Sequence, residues 1–234
     1  ATCLECEKGK VSSNDGASTC DLCQNGNHQT KNGQSVCQIC DVGKFKKVQT
    51  FEGDNVQYEC YECSHGRTSI KGSAVCSTCS TGQIVYNLIC TECKKGKIAQ
   101  AGDIECKSCV TGLYQPNTGK GICQPCKSGT WSDTKGSSSL LNCKRCKRGT
   151  YSTATGASSP ATCNSCPPGS YSQVQGATNS TLCTDCEIGK ASKAGAVVCI
   201  QCPSGRTSPK GSAVCNTCST GRIVNNFICF DCER

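Results

Sequence analysis

Every cysteine in the chain belongs to a C-x-x-C pair, and the pairs recur at intervals of 14 to 23 residues. The fourteen pairs begin at Cys3, Cys20, Cys37, Cys60, Cys76, Cys90, Cys106, Cys123, Cys143, Cys163, Cys183, Cys199, Cys215 and Cys229, and together they use all 28 cysteines of the 234 residues. Thirteen pairs carry a glycine three residues after the second cysteine, running from Gly9, Gly26 and Gly43 to Gly189, Gly205 and Gly221. A glycine so regularly placed implies positive φ, or close backbone approach, just after each pair. The folding unit is therefore short and internally repeated, C-x-x-C-x-x-G, and repetition rather than a single core decides the architecture.

Leu, Ile, Val and Phe number only 35 of the 234 residues. A chain this poor in large apolar side chains cannot offset its folding entropy by burial alone, so covalent links must take the place of a core. Two residues after the first glycine the chain is mostly apolar, with Val11, Phe45, Ile84, Ile98, Tyr114, Trp131, Tyr151, Tyr171, Ala191 and Ile223; His28, Thr68 and Thr207 are the exceptions. A second glycine often follows in mid-loop, and an apolar residue such as Val36, Val75, Ile122 or Val214 often precedes the next pair. Each unit reads as two short extended arms joined by a Gly/Ser/Asn turn, with an apolar side chain folded over the disulfides at its base. The predicted fold class is small and disulfide-rich, mostly β-hairpin and loop: an extended rod of tandem repeats with no continuous hydrophobic core.

A longer period overlies the short one. Residues 60–93 and 199–232 match at 23 of 34 positions without a gap. This divides the chain into N-terminal repeats of wider spacing (1–59), an eight-unit block (60–198) and the start of a second copy of that block (199–234). Duplication of a multi-unit block suits an extended surface protein better than a catalytic domain, which needs one asymmetric site.

Disulfides persist in oxidising compartments, so this cysteine density predicts a secreted or surface-exposed protein. No stretch is apolar for long enough to span a membrane as a helix. There is no methionine, even at position 1, and a targeting segment is expected to have been removed. Paired C-x-x-C motifs also fit zinc ribbons, but here they would require seven four-cysteine sites in a row. The Ser-, Thr- and Gly-rich loops and the lack of any grouping of pairs two by two favour disulfides.

Connectivity does not follow from sequence. The most economical pairing joins the second cysteine of each pair to the first of the next. It links Cys6 with Cys20, Cys23 with Cys37, Cys40 with Cys60, Cys63 with Cys76, Cys79 with Cys90, Cys93 with Cys106 and Cys109 with Cys123. It continues with Cys126 and Cys143, Cys146 and Cys163, Cys166 and Cys183, Cys186 and Cys199, Cys202 and Cys215, and Cys218 and Cys229. Each bond closes a hairpin-sized loop, worth roughly 3 kcal/mol by the chain-entropy estimate. Cys3 and Cys232 are left over as candidates for links to neighbouring segments. The alternative is a crossed pattern in which neighbouring pairs exchange both bonds.

The stretch Cys163-Asn164-Ser165-Cys166-Pro167-Pro168-Gly169-Ser170-Tyr171-Ser172 resembles the ephrin-receptor-like cysteine-rich repeat, with its C-P-P-G-x-Y-S pattern. Cys146–Ser152 and Cys126–Ser132 follow the same pattern; elsewhere the cysteines and first glycine persist while the aromatic is often lost. The array is also similar to growth-factor-receptor and tumour-necrosis-factor-receptor ectodomains, to protist cysteine-rich surface antigens, and to repeat proteins of extracellular or flagellar-hair fibres. The resemblance implies small modules used for spacing, display or adhesion, and no catalytic residues.

No catalytic constellation, cofactor motif or metal site is expected from the residues themselves. His28 and His65, the two histidines, have no partner at motif spacing. Glu52, Asp54 and Glu59 cluster in the longest inter-pair segment but lack calcium-loop spacing. The net charge of +8 is spread thinly and is densest at Lys94–Lys97 and Lys144–Arg148. Few aromatics interleave with it, which argues against nucleic acid and leaves glycans or an acidic neighbour as partners. Asn179-Ser180-Thr181 is the sole N-glycosylation sequon. The expected function is structural, an extracellular stapled rod that self-associates or continues into neighbouring copies. A receptor or adhesin ectodomain, with Lys44–Tyr61 as its distinctive segment, is the alternative.

Overall fold

The structure, a computed structural model, describes residues 4–47 and 58–231. Among the described residues there is no α-helix; the chain forms thirteen separate two-stranded antiparallel sheets. Thirteen disulfides in tandem, from Cys6–Cys20 to Cys218–Cys229, close thirteen repeats, numbered here in that order. The hairpin-and-loop, disulfide-rich architecture read from the sequence is the one observed.

The strands explain the invariant spacing. Glycine opens the outgoing strand, as in Lys10–Val11, and the two residues inside the next C-x-x-C form the returning strand, as in Asp21–Leu22. The first cysteine of a pair thus closes its own repeat, and the second opens the following one. The amide of that second cysteine donates back to the glycine carbonyl, as from Cys23 to Gly9 at 2.9 Å and from Cys126 to Gly112 at 2.9 Å. Any spacing other than two residues would break this short ladder.

The chain divides into two compact bodies, Ala1–Lys107 with Asn117–Ile122, and Ser108–Pro116 with Cys123–Arg234. In the first, the amides of Gly9, Gly26, Gly43 and Gly82 donate to the carbonyls of Gln29, Lys46, Ser69 and Ala99 in the following repeat, at 2.7–3.0 Å. In the second, Gly112, Gly129, Gly149, Gly169 and Gly189 donate likewise to Ser132, Ser152, Ser172, Ser192 and Ser208. Each acceptor sits three residues after its own glycine. A second bond returns from the mid-loop glycine of the next repeat to a cysteine carbonyl, as from Gly33 to Cys6 and from Gly156 to Cys126.

What is buried along these ladders is unusual. The second cysteine of most pairs is sealed, with Cys23, Cys40, Cys126, Cys166 and Cys186 all 0% exposed. Beside it lies the residue three after the glycine, which is buried as Gln29, Lys46, Ser69, Ala99, Gln115, Ser132, Ser152, Ser172, Ser192 and Ser208. The apolar position one residue earlier is mostly half-buried, and Ile223 is exposed. The apolar residues before the pairs, Val36, Val75, Ile122 and Val214 among them, are exposed. The interior is therefore cystine, backbone and small polar side chains, and the apolar residues mostly shield its flank.

Small polar side chains fit there because the backbone around them supplies partners. Ser69, Ser192 and Ser208 donate to the carbonyls of Lys44, Ser170 and Lys190 in the repeat before, at 2.6–2.8 Å. Gln29 bridges to the Val36 carbonyl and the Lys31 amide. Lys46 is the misfit: its side chain is 1% exposed, and its ammonium has no hydrogen-bond partner among the described residues. Burial pushes its pKa down.

Several turn glycines also admit no side chain. Gly149 has φ +78°, and a methyl built on it would stand 2.1 Å from the Gly195 carbonyl oxygen, two repeats further on. Gly205 has a similar φ of +76° but open space around it. Two repeats solve the same contact differently. Repeats 5 and 13 lack a mid-loop glycine, and two-residue turns at Asn87-Leu88 and Asn226-Phe227 adopt positive φ. Leu88 then packs over Gly43 and Phe227 over Gly189. The Thr68 and Thr207 hydroxyls donate to the carbonyls of Leu88 and Phe227, respectively. Both tight hairpins pair four residues per strand in equivalent register, as do the hairpins before them, so the duplicated sequences share a local fold over 67–92 and 206–231.

Gly205→Ala should cost about 1–2 kcal/mol, for the left-handed backbone alone. Gly149→Ala should cost clearly more, because a backbone carbonyl must also move, and hydrogen exchange should rise in repeats 9 to 11. Equal losses in thermal unfolding of the two oxidised variants would refute the packing role. Lys46→Ser should stabilise the oxidised chain at neutral pH by about 1–3 kcal/mol, by removing a buried ammonium that has no hydrogen-bond partner among the described residues. With its folded pKa lowered, Lys46 binds fewer protons in the folded than in the unfolded state. Wild-type stability should therefore rise as pH climbs from the folded towards the unfolded pKa. Lys46→Ser should flatten that rise, as read by chemical unfolding at neutral and alkaline pH.

Candidate functional site

All the cysteines of the described residues lie in disulfides, with Cα–Cα distances of 5.5–5.8 Å. Second cysteine joins first cysteine of the next pair throughout, from Cys6–Cys20, Cys23–Cys37 and Cys40–Cys60 onward. The sequence separation is 11 residues in the two tight hairpins and 20 in repeat 3. An array of zinc ribbons does not describe this arrangement. Cys3 and Cys232 lie outside the described residues, as do Glu52, Asp54 and residues 48–57 of the Lys44–Tyr61 segment.

The residue two after the glycine is the side chain best placed to meet chemistry. In repeat 2 it is His28, whose strand Asn27–His28 pairs with Gln38–Ile39. Cys40 follows that returning strand directly, so the strand pairing brings His28 close to the start of repeat 3. His28 Nδ1 lies 3.0 Å from Cys60 Sγ. His65 sits exposed in a turn.

The aromatics of the same column are in the middle repeats. Tyr114 is buried, and Trp131, Tyr151 and Tyr171 are half-buried. Parallel bridges tie these four residues to Ser137, Ala157, Ala177 and Ala196 of the repeats that follow them. They are held as packing elements more than as open platforms. Lys144 covers Trp131, with Nζ 4.8 Å from the ring centroid, and also pairs with Asp133 at 2.9 Å. The hydrogen bond from Lys144 holds the Asp133 carboxyl below the usual range. One ammonium therefore links the Trp131 ring to the Asp133 carboxylate.

Repeats 8 to 10 have the longer separation of 17 residues, and the extra residues form 3₁₀ turns at Leu140–Asn142, Pro160–Thr162 and Ser180–Leu182. Ser139, Ser159 and Asn179 cap them, each accepting from the amide two residues on, at 3.0–3.2 Å. Asn179 therefore serves as a cap like the serines in its register. It is exposed, and its Oδ1 also accepts from the Thr181 hydroxyl.

An apolar groove of about 580 Å³ lies in the first body, lined in part by Val42, Ile70, Val75, Leu88 and Ile89. No sequence motif pointed to it, because it is assembled from turns of repeats 3, 4 and 5.

Three further facts bear on identity. No helix among the described residues is long and apolar enough to cross a membrane. No curated protein matches the chain. The family described as tyrosine-protein kinase ephrin type A/B receptor-like matches residues 96–143. That family and the thirteen disulfides point to a disulfide-rich, non-catalytic domain in an extracellular setting. The chain is a tandem series of cysteine-rich repeats that is ephrin-receptor-like over residues 96–143.

Proposed function

We propose that the chain is a length of structural extracellular repeat, a disulfide-stapled rod in a surface coat or fibre, that self-associates or continues into neighbouring copies. The observation that supports this best is the sameness of the repeats. The buried column is cystine with serine in six of the ten buried positions, joined by recurring backbone bonds, and the duplicated stretches pair their strands in the same register over 67–92 and 206–231. Repeats joined this way each add length at similar cost, which suits a spacer. A protein built around one reaction needs one place unlike the rest.

A second reading, a receptor or adhesin ectodomain, draws support from the apolar groove at Ile70, Val75 and Leu88. Negative-stain microscopy of the native material separates the two. Long regular filaments are expected; isolated short particles that acquire a bound protein would favour the second reading and sink the first.

We propose also that Asn179 carries an N-glycan. It is exposed, and its Nδ2 has only a long 3.4 Å contact with the Thr178 hydroxyl. The cap uses Oδ1, so the nitrogen is left for the sugar. Intact mass of native protein should exceed the peptide mass and fall on enzymatic removal of N-glycans. A native mass equal to the bare, oxidised peptide would remove the proposal.

A further inference from the structure

Of the thirteen disulfides described, Cys40–Cys60 has a histidine against its sulfur. His28 Nδ1 is 3.0 Å from Cys60 Sγ, and the ligand atoms of His28, Cys40 and Cys60 all lie within 4.8 Å of one another. Among the described residues no other three His, Cys, Asp or Glu side chains meet in this way. Cys40 is fully buried, whereas Cys60 and His28 are half-buried, so the site has a dry wall and an open side. The histidine occupies a slot that holds an apolar residue or threonine in the other twelve repeats, so packing alone does not call for an imidazole.

We propose that His28, Cys40 and Cys60 form a redox-gated site for a thiophilic divalent cation of the zinc class. With the disulfide closed, the sulfurs are bonded to each other and are poor donors. Two molecules of an external thiol reduce the bond and leave as their own disulfide, giving two cysteine thiols. The cation then displaces one proton from each thiol and takes two thiolates and the neutral imidazole, with two protons released. A tetrahedral zinc with bonds of about 2.0–2.3 Å holds neighbouring ligand atoms roughly 3.5–3.8 Å apart, so the two sulfurs, bonded to each other in the closed form, must separate on reduction, while His28 Nδ1 already lies within 4.8 Å of both. A Cys₂His set leaves the fourth position to water on the open side. The opened bond is also the one that closes the longest loop, at a separation of 20 residues.

A cation that binds only the opened form multiplies the open-to-closed ratio by 1 + [L]/Kd. The full chain would be equilibrated in a glutathione redox buffer with and without zinc chloride, then alkylated and mapped by mass spectrometry. With zinc at a hundred times its dissociation constant, the open fraction ratio at Cys40 and Cys60 should rise about 100-fold. The other twelve bonds should not respond. His28→Thr, which places the residue of the Thr68 and Thr207 slots at this position, should leave the zinc-free map unchanged. Loss of a ligand should weaken the zinc response at least as much as the ~10–100-fold typical of losing an outer-shell partner. An undiminished response in His28→Thr, a response spread over all the bonds, or no response to zinc would each overturn the proposal.

Discussion

The structure depends on one recurring backbone hydrogen bond, from the amide of the glycine after a pair to the carbonyl three residues past the next glycine. It forms at 2.7–3.0 Å at four steps in the first body and five in the second. A peptide hydrogen bond adds only about 1 kcal/mol net where water can replace it. Here it is placed beside a sealed cystine, so breaking it leaves a buried donor and acceptor unmet. The disulfide reduces the entropy of the unfolded chain, and the hydrogen bond selects the register in which one repeat meets the next. Neither suffices alone: a disulfide-closed hairpin without the ladder has no neighbour, and two-residue strands without the disulfide are far below independent stability.

This division of labour explains what could be read in the sequence. Cysteine positions are fixed by covalent geometry and most glycine positions by positive φ, so their pattern survives in the sequence and reveals hairpins directly. The buried column was harder to see. Seven of thirteen repeats place serine three after the glycine, at Ser12, Ser69, Ser132, Ser152, Ser172, Ser192 and Ser208, yet serine in a polar chain reads as surface. Hydropathy points instead to the neighbouring apolar position, which is mostly only half-buried. The rule that apolar residues go inside fails where the interior is made of backbone, because a short hydroxyl meets backbone carbonyls and a branched alkyl group does not.

The candidate site was legible in composition but not in contact. His28 stood out as an exception in an apolar column, and Cys40 and Cys60 as a proposed pair, but their meeting depends on the stagger between repeats 2 and 3. That stagger comes from the strand pairing of Asn27–His28 with Gln38–Ile39, which the cysteine spacing does not specify by itself. The caps of repeats 8 to 10 follow the same logic. Ser139, Ser159 and Asn179 lie in one register, and the sequon at Asn179 draws attention to a modification while concealing that the position is first a cap.

Repeats 5 and 13 show how far the ladder tolerates change. At six places a mid-loop glycine reaches the glycine of two repeats earlier, as Gly156 reaches Gly112 and Gly195 reaches Gly149. In the tight hairpins that glycine is gone, and Leu88 or Phe227 covers the earlier glycine from a turn with positive φ. A left-handed leucine or phenylalanine is costly in isolation. Four paired residues on each side hold it, and its side chain covers the glycine that a loop backbone covers elsewhere. The contact two repeats apart is thus conserved in function while its chemistry changes from backbone to side chain. An exception that recurs in both matching stretches, with the same threonine hydroxyl bonded to the turn carbonyl, marks a specified element of the repeated sequence. It also turns a surface otherwise made of loop backbone into an apolar one, and in the first copy that surface is a wall of the groove beside Ile70 and Val75.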